Sequence, residues 1–358
     1  MQVEKEEFVR KRKAEFNNYE SLLKALIVLK KYLEENLNAR YYFGGKLKKT
    51  GGSDQTPDII IELNDTQGII GEAKKSLRGL IQGESKATYL KNYVEGDLIK
   101  QLRKYDSAFD NFKVKEHDLV LLAPQVDSEA LGIIKFDFLE NNNNQFSRNF
   151  AILVYSIELQ ANTKRILIRH DYGKLSNENL FDKLRRGISY YEGQITKELS
   201  KYKVYEENED ATPLEYIMVI LWDSIFNEII NSSDKEQIAE RYRKKENKFQ
   251  VNLSKLMDHL KRMYTLPTIS IDGVNNNHRQ QFKINSVRNA MEIFCHIGLA
   301  NVINKNNGDI LYEITLKILP EKDELTYFLN KIYDLIDQKK YSHDQSSSEK
   351  LDKYFVKN

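Results

Sequence analysis

The chain has a single cysteine, Cys295, among its 358 residues. No disulfide can close within it, so the fold must rest on its apolar core, and a reducing, cytoplasmic setting is expected. Cys295 and His296 have no partners at metal-ligand spacing, which argues against zinc there. Runs of apolar residues are all short of the roughly 20 needed to span a bilayer. The N-terminus lacks the apolar core of a signal peptide, so no membrane partner is expected. A large net charge is missing too: 55 Lys and Arg against 53 Asp and Glu leave +2. Any anionic partner must therefore meet a local patch. Internal repeats are absent. The length is enough for two domains.

The most informative stretch runs from Thr56 to Ser76. Asp58–Leu63 and Ile69–Lys74 read as two short strands, joined by the polar turn Asn64–Gly68. Asp58 opens the first strand directly after Pro57. Glu72 and Lys74 are two apart on the second, so they share one face. A hairpin brings all three together. Two carboxylates are hard oxygen donors of the kind Mg²⁺ takes. A lysine beside them can orient an attacking water and offset negative charge in a transition state.

Pro57-Asp58 and Glu72-Ala73-Lys74 match the two core motifs of the PD-(D/E)xK nucleases, which this stretch resembles. The resemblance implies an α/β (α+β) restriction-endonuclease-like core with a mixed central sheet. It implies Mg²⁺ as cofactor, with Mn²⁺ able to substitute, held by Asp58, Glu72 and the Ala73 carbonyl. Lys74 would activate the water. Gln101 and Tyr105, spaced i, i+4 on a helix after the hairpin, resemble the third motif of the RecB-like branch, where such a pair helps hold the site. In some of these nucleases a helix before the sheet adds a carboxylate. Glu20, on the helix read over Glu4–Leu37, stands at that place, or is a solvated helix position.

Around the hairpin the chain supplies strands at Ala39–Phe43, His117–Pro124, Phe150–Leu159 and Arg165–His170. Lys46, Lys48 and Lys49 lie in a glycine-bracketed loop, read either as a flexible phosphate-backbone contact or as a solvated turn. Lys75, with the basic stretch after it, and Arg103 and Lys104 on the Gln101 helix could also reach phosphates. The nuclease domain is read as 1–173, followed by a helical connector at 174–207.

In the second half, Thr212–Glu215 is a capped helix start, and that helix runs to about Ile230. Asp234–Lys248 is highly charged. Asn252–Tyr264 is amphipathic, and Thr268–Ile271 reads as a short strand. Asn285 is read as the cap of a helix that ends at Gly298. A hairpin over Leu299–Thr315 follows. A helix, a glycine and a two-stranded wing resemble a winged-helix module. Residues 208–340 are therefore read as a mainly helical winged-helix-like DNA-binding domain. Its helix would offer Arg288, Asn289, Glu292 and His296 to a major groove. Residues 341–358 form a polar tail. Leu351, Tyr354 and Phe355 within it resemble a sliding-clamp-binding box, or dock on the chain's own domain.

These features together read as a Mg²⁺-dependent DNA endonuclease of restriction or defence type, acting at the nucleoid. As in many such nucleases, a homodimer is implied. The alternatives are a clamp-associated repair or replication nuclease, and a DNA-binding regulator on an inert nuclease fold.

Overall fold

The computed structural model describes residues 2–42, 45–49, 52–77, 98–135, 146–202, 214–231, 247–264, 283–306, 309–316, 319 and 323–341. The chain divides into two compact units. One comprises residues 18–203 and 267–279. The other comprises 1–17, 204–266 and 280–358. Both mix helix and strand.

The first unit is built on a seven-stranded mixed sheet in simple chain order, β1 to β7. Helix α1 (Gln2–Leu37) precedes it. Its Leu22, Leu23, Leu26, Ile27, Leu29 and Leu33 are buried, as their helical spacing requires. The strands are β1 (Arg40–Tyr41), β2 (Ile59–Glu62), β3 (Gln67–Ala73), β4 (Glu116–Pro124), β5 (Phe150–Gln160), β6 (Thr163–Gly173) and β7 (Ile188–Tyr191). β3, β4 and β5 run parallel. The flanking pairs are antiparallel. The central strands Ile69–Ile70 and Leu119–Leu122 are fully covered, as continuous apolar runs in a sheet with helices must be. Helix α2 (Ile99–Tyr105) lies between β3 and β4, and α3 (Ser128–Gly132) follows β4. Helix α2 lays Leu98, Ile99, Leu102 and Tyr105 in one cluster with Ile70, Leu121, Ile152 and Val154.

Of the connector expected at 174–207, residues 174–203 belong to this unit. Helices α4 (Glu178–Arg186) and α5 (Glu192–Tyr202) flank β7, which extends the sheet along β6. Leu180, Leu184, Ile188 and Ile195 are buried. A four-residue edge strand gives no alternating period, which hides β7 within a stretch expected to be mainly helical. The 1–173 boundary differs as well, because residues 1–17 of α1 belong to the other unit.

That unit holds α6 (Leu214–Ile220), a π-type stretch Leu221–Ile225, α7 (Phe226–Asn231), β8 (Asn247–Asn252), α8 (Leu253–Tyr264), α9 (Ile284–His296), β9 (Ala300–Asn306), β10 (Asp309–Leu316) and α10 (Glu324–Tyr341). The three strands form one antiparallel sheet, β8-β10-β9. The core is aromatic: Trp222, Phe226, Phe294 and Phe328 pack with ring centroids 5.5–6.0 Å apart. Residues 1–17 join it through Phe8 on Tyr333 and Phe16 on Tyr216. Arg12 pairs with the buried Glu215, and Lys13 with Asp323.

Asn285 is not the cap of α9: Lys283, in extended backbone, takes that place, and Asn285 lies inside the first turn. β8 begins at the end of the charged stretch 234–248 and runs to Asn252, where the amphipathic stretch starts. Gly298 does end α9, with φ +71°. The tail with Leu351, Tyr354 and Phe355, the strand at 268–271, the Thr212–Pro213 cap and most of the basic stretch after Lys75 lie outside the described residues.

Among the described residues, no helix is long and apolar enough to cross a membrane.

Candidate active site

The site starts from the register of the β2–β3 ribbon. Ile59 faces Gly71, so the next pair outward sets Asp58 opposite Glu72 on one face. The turn is tightened by Asn64, whose side-chain oxygen accepts from the N–H groups of Thr66 and Gln67. Gly71 is required by close packing. A Cβ there would stand 2.2 Å from the Val120 carbonyl oxygen on β4. Glu72 follows Ile70 by two positions, so it rises from the face that α2 covers.

Asp58 Oδ2 accepts a hydrogen bond from the Ala73 N–H at 2.8 Å. Glu72 is 1 % exposed. Its Oε2 accepts from Lys74 Nζ at 2.7 Å, and its Oε1 accepts from the Tyr105 hydroxyl. Lys74 Nζ also donates to Gln101 Oε1 at 3.3 Å. Gln101 and Tyr105 come from one face of α2, so a single helix closes the site over the ribbon. Burial holds the Tyr105 hydroxyl far above the ordinary phenol range, and the Glu72 and Asp58 charges push it further the same way. It therefore acts as a neutral donor, and both carboxylates lie close enough to act on it.

Tyr105 is itself supported. His117 Nε2 lies 2.8 Å from the Tyr105 carbonyl, and His117 rests between Phe109 and Phe112. Desolvation lowers its pKa to about 4, against the pull of that hydrogen bond. It is thus neutral near pH 7 and donates through Nε2.

Besides His117, two further supporting residues come from outside the motifs. Tyr155 on β5 donates its hydroxyl to the Lys74 carbonyl at 3.2 Å. The buried Asp127 accepts from the Leu77 N–H at 2.5 Å. With the Lys74 N–H on the Leu122 carbonyl at 2.8 Å, the chain leaving β3 is fastened on several sides. These contacts fix the root of the Lys74 side chain. Neither residue sits in a local motif, so neither left a signal.

The other expected residues fall elsewhere. Glu20 pairs with the buried Lys24 at 3.3 Å, and Lys24 also meets Glu192 at 2.5 Å. This is an ion triad of helices α1 and α5. Lys75, Arg103 and Lys104 are exposed. The 46–49 loop is anchored rather than free. Leu47 is fully buried between exposed lysines and bridges to Gln55. In the other unit, Arg288 and Asn289 are half-buried on α9, and Glu292 and His296 are exposed.

No group of three or more His, Cys, Asp or Glu among the described residues is placed to hold a metal ion. Mg²⁺ needs less than that, taking one or two carboxylates and keeping several waters. Asp58 and Glu72 suit it, since a carboxylate oxygen that accepts one hydrogen bond keeps a second lone pair for a cation. Ala73 turns its N–H toward Asp58, and in a strand its carbonyl lies on the same side.

No known family, curated protein or solved structure matches this chain.

Proposed function

We propose that the protein is a Mg²⁺-dependent DNA endonuclease with a restriction-endonuclease-like core. The observation that carries the reading is the convergence of Asp58, Glu72 and Lys74, with Gln101 and Tyr105 reaching in from α2. That is the donor set the two motifs call for, joined by hydrogen bonds the sequence alone does not contain. Asp58, Glu72 and the Ala73 carbonyl would hold Mg²⁺, which would polarise the scissile phosphate and offset charge as the leaving oxygen departs. Lys74, only 20 % exposed, orients the attacking water and stabilises the anionic transition state from a partly dehydrated position. Tyr105 keeps Glu72 from turning away. Gln101 limits where the Lys74 amine can swing.

The second unit is read as the DNA-gripping module. Its support is the order of α9, the Gly298 turn and the β9–β10 hairpin, a helix followed by a wing. A restriction or defence role fits a cutting unit joined to a gripping one.

The test is cleavage of supercoiled plasmid by wild type and Lys74→Ala, with Mg²⁺ and with chelator. The expected outcome is Mg²⁺-dependent nicking or linearisation, slowed about 100-fold or more by the substitution. Equal rates in the two proteins, or cleavage untouched by chelator, would sink the reading.

A further inference from the structure

We infer that the outer face of α2 and the 46–49 loop clasped beside it form one docking surface for a nucleic-acid phosphate backbone. The inference rests on the nuclease reading and names where that substrate lies. Two observations carry it. The first is the two-sided build of α2. Its inner side bears Leu102 and Tyr105 into the core and sets Gln101 on Lys74. Its outer side presents Lys100, Arg103 and Lys104, all exposed. A helix is about 10–12 Å across with its side chains. A strand whose phosphate reaches Asp58 and Glu72 thus passes near these cations.

The second observation is how the basic loop is held. The Lys48 N–H donates to Asn111 Oδ1 at 2.8 Å, and Asn111 Nδ2 donates to the Lys46 carbonyl at 2.8 Å. The Asp110 N–H donates to the Lys48 carbonyl at 2.9 Å. Asp110 and Asn111 belong to the turn just after α2. With Leu47 plugged into the core below, Lys46, Lys48 and Lys49 are presented at fixed backbone positions. Backbone ordering, a cost of binding that a free loop would incur, is already met by the fold.

The acids nearby are few. Asp106 is occupied by the Ser147 and Arg148 N–H groups and the Ser147 hydroxyl. Asp110 is exposed, as is Asp54 beside the Gln55 that bridges to Leu47. Six cations on a chain whose net charge is only +2 make a local anion-facing field. A repeating phosphate backbone fits it better than a single small anion.

The experiment uses the full chain and a labelled DNA duplex, with Ca²⁺ replacing Mg²⁺ so that binding is read without turnover. Affinity is followed against salt. Removing Lys46, Lys49 and Lys104 together (K46A/K49A/K104A) should weaken binding about tenfold or more on any sequence. It should also flatten the log–log salt slope by about 0.9 per lost contact. The control removes Lys164 and Arg186, exposed on β6 and α4, and should leave the slope alone. An unchanged slope in the triple variant, or an equal loss in the control, overturns the surface. Plasmid cleavage by wild type in Mg²⁺ is scored separately. Cleavage with an unmoved slope removes the surface and keeps the nuclease. A flattened slope without cleavage keeps the surface and removes the nuclease.

Discussion

The two units bury different things. In the sheet unit, the buried polar residues among those described are Lys24, Glu72, His117, Asp118 and Asp127. In the other unit Glu215 alone of the described residues is so buried, and the interior is a stack of rings around Trp222 and Phe294. A buried charge or imidazole is costly unless it is bonded on every side. The sheet unit meets that demand at three residues along and just beyond β3 and β4: Glu72 by Tyr105 and Lys74, His117 by Tyr105, and Asp127 by Leu77. Interiors assembled for stability alone look like the aromatic one. The difference teaches where chemistry is to be sought, independently of any motif.

That contrast can be broken by one substitution in each unit, and these have the largest expected effects. Phe294→Ala should cost about 3–5 kcal/mol through lost transfer energy and a cavity. Glu72→Ala should cost about 3 kcal/mol, because it leaves the buried Tyr105 hydroxyl without its acceptor and Lys74 without its counter-charge. Peptide-resolved hydrogen exchange should report each loss in its own unit. Protection falling throughout the chain after either change would mean that the units fold as one body and that their interiors cannot be compared as separate cores. Only Glu72→Ala should also abolish Mg²⁺-dependent cleavage by protein that is still folded.

The next effect sharpens the comparison through pH. His117 titrates near 6.5 in an unfolded chain and at about 4 in the fold. Because the folded value is the lower one, the unfolded state binds the extra proton first. Stability is therefore full above about pH 6.5, falls as pH drops toward 4, and levels off below. The loss is of order 3 kcal/mol over that window. His117→Gln, which keeps a donor for the Tyr105 carbonyl, should flatten that slope in denaturant melts taken across it. An unchanged slope would place the acid sensitivity elsewhere.

Much of this was legible because it was local. Asp58, Glu72 and Lys74 lie within one hairpin, and alternation along a strand is enough to put Glu72 and Lys74 on one face. Gln101 and Tyr105 need only the helical period to share a side of α2. Reaching the site from there is a tertiary fact, yet the order of elements pointed to it. What could not be read lies across long loops. Tyr155 meets Lys74 from 81 residues away, and Asp127 meets Leu77 from 50. β7 escaped because Ile188–Tyr191 is too short to show a period, and β8 because its neighbours are charged. Glu20 was drawn to the site by its place on a helix before the sheet, while the buried Lys24 one turn along holds it instead.

The smallest effect concerns α9 and decides what kind of surface the aromatic unit presents. Arg288 Nη1 lies 3.5 Å from Asn285 Oδ1, while its Nε is buried with no partner among the described residues. Its charge also bears on the nearby Tyr312 hydroxyl. The stem thus packs against the unit, with the side chain half-buried on α9. If α9 reads base edges, Arg288→Ala should cost about 1–3 kcal/mol of duplex affinity and relax preference at one base pair. Arg288→Lys should restore the salt dependence without restoring the preference, since an ammonium cannot make the paired contact of a guanidinium. Competition binding against a randomised duplex pool measures both at once. Full recovery by lysine would reduce Arg288 to a phosphate contact. Unchanged affinity with a lowered melting temperature would make it a packing residue, and α9 would then be a face for something other than DNA.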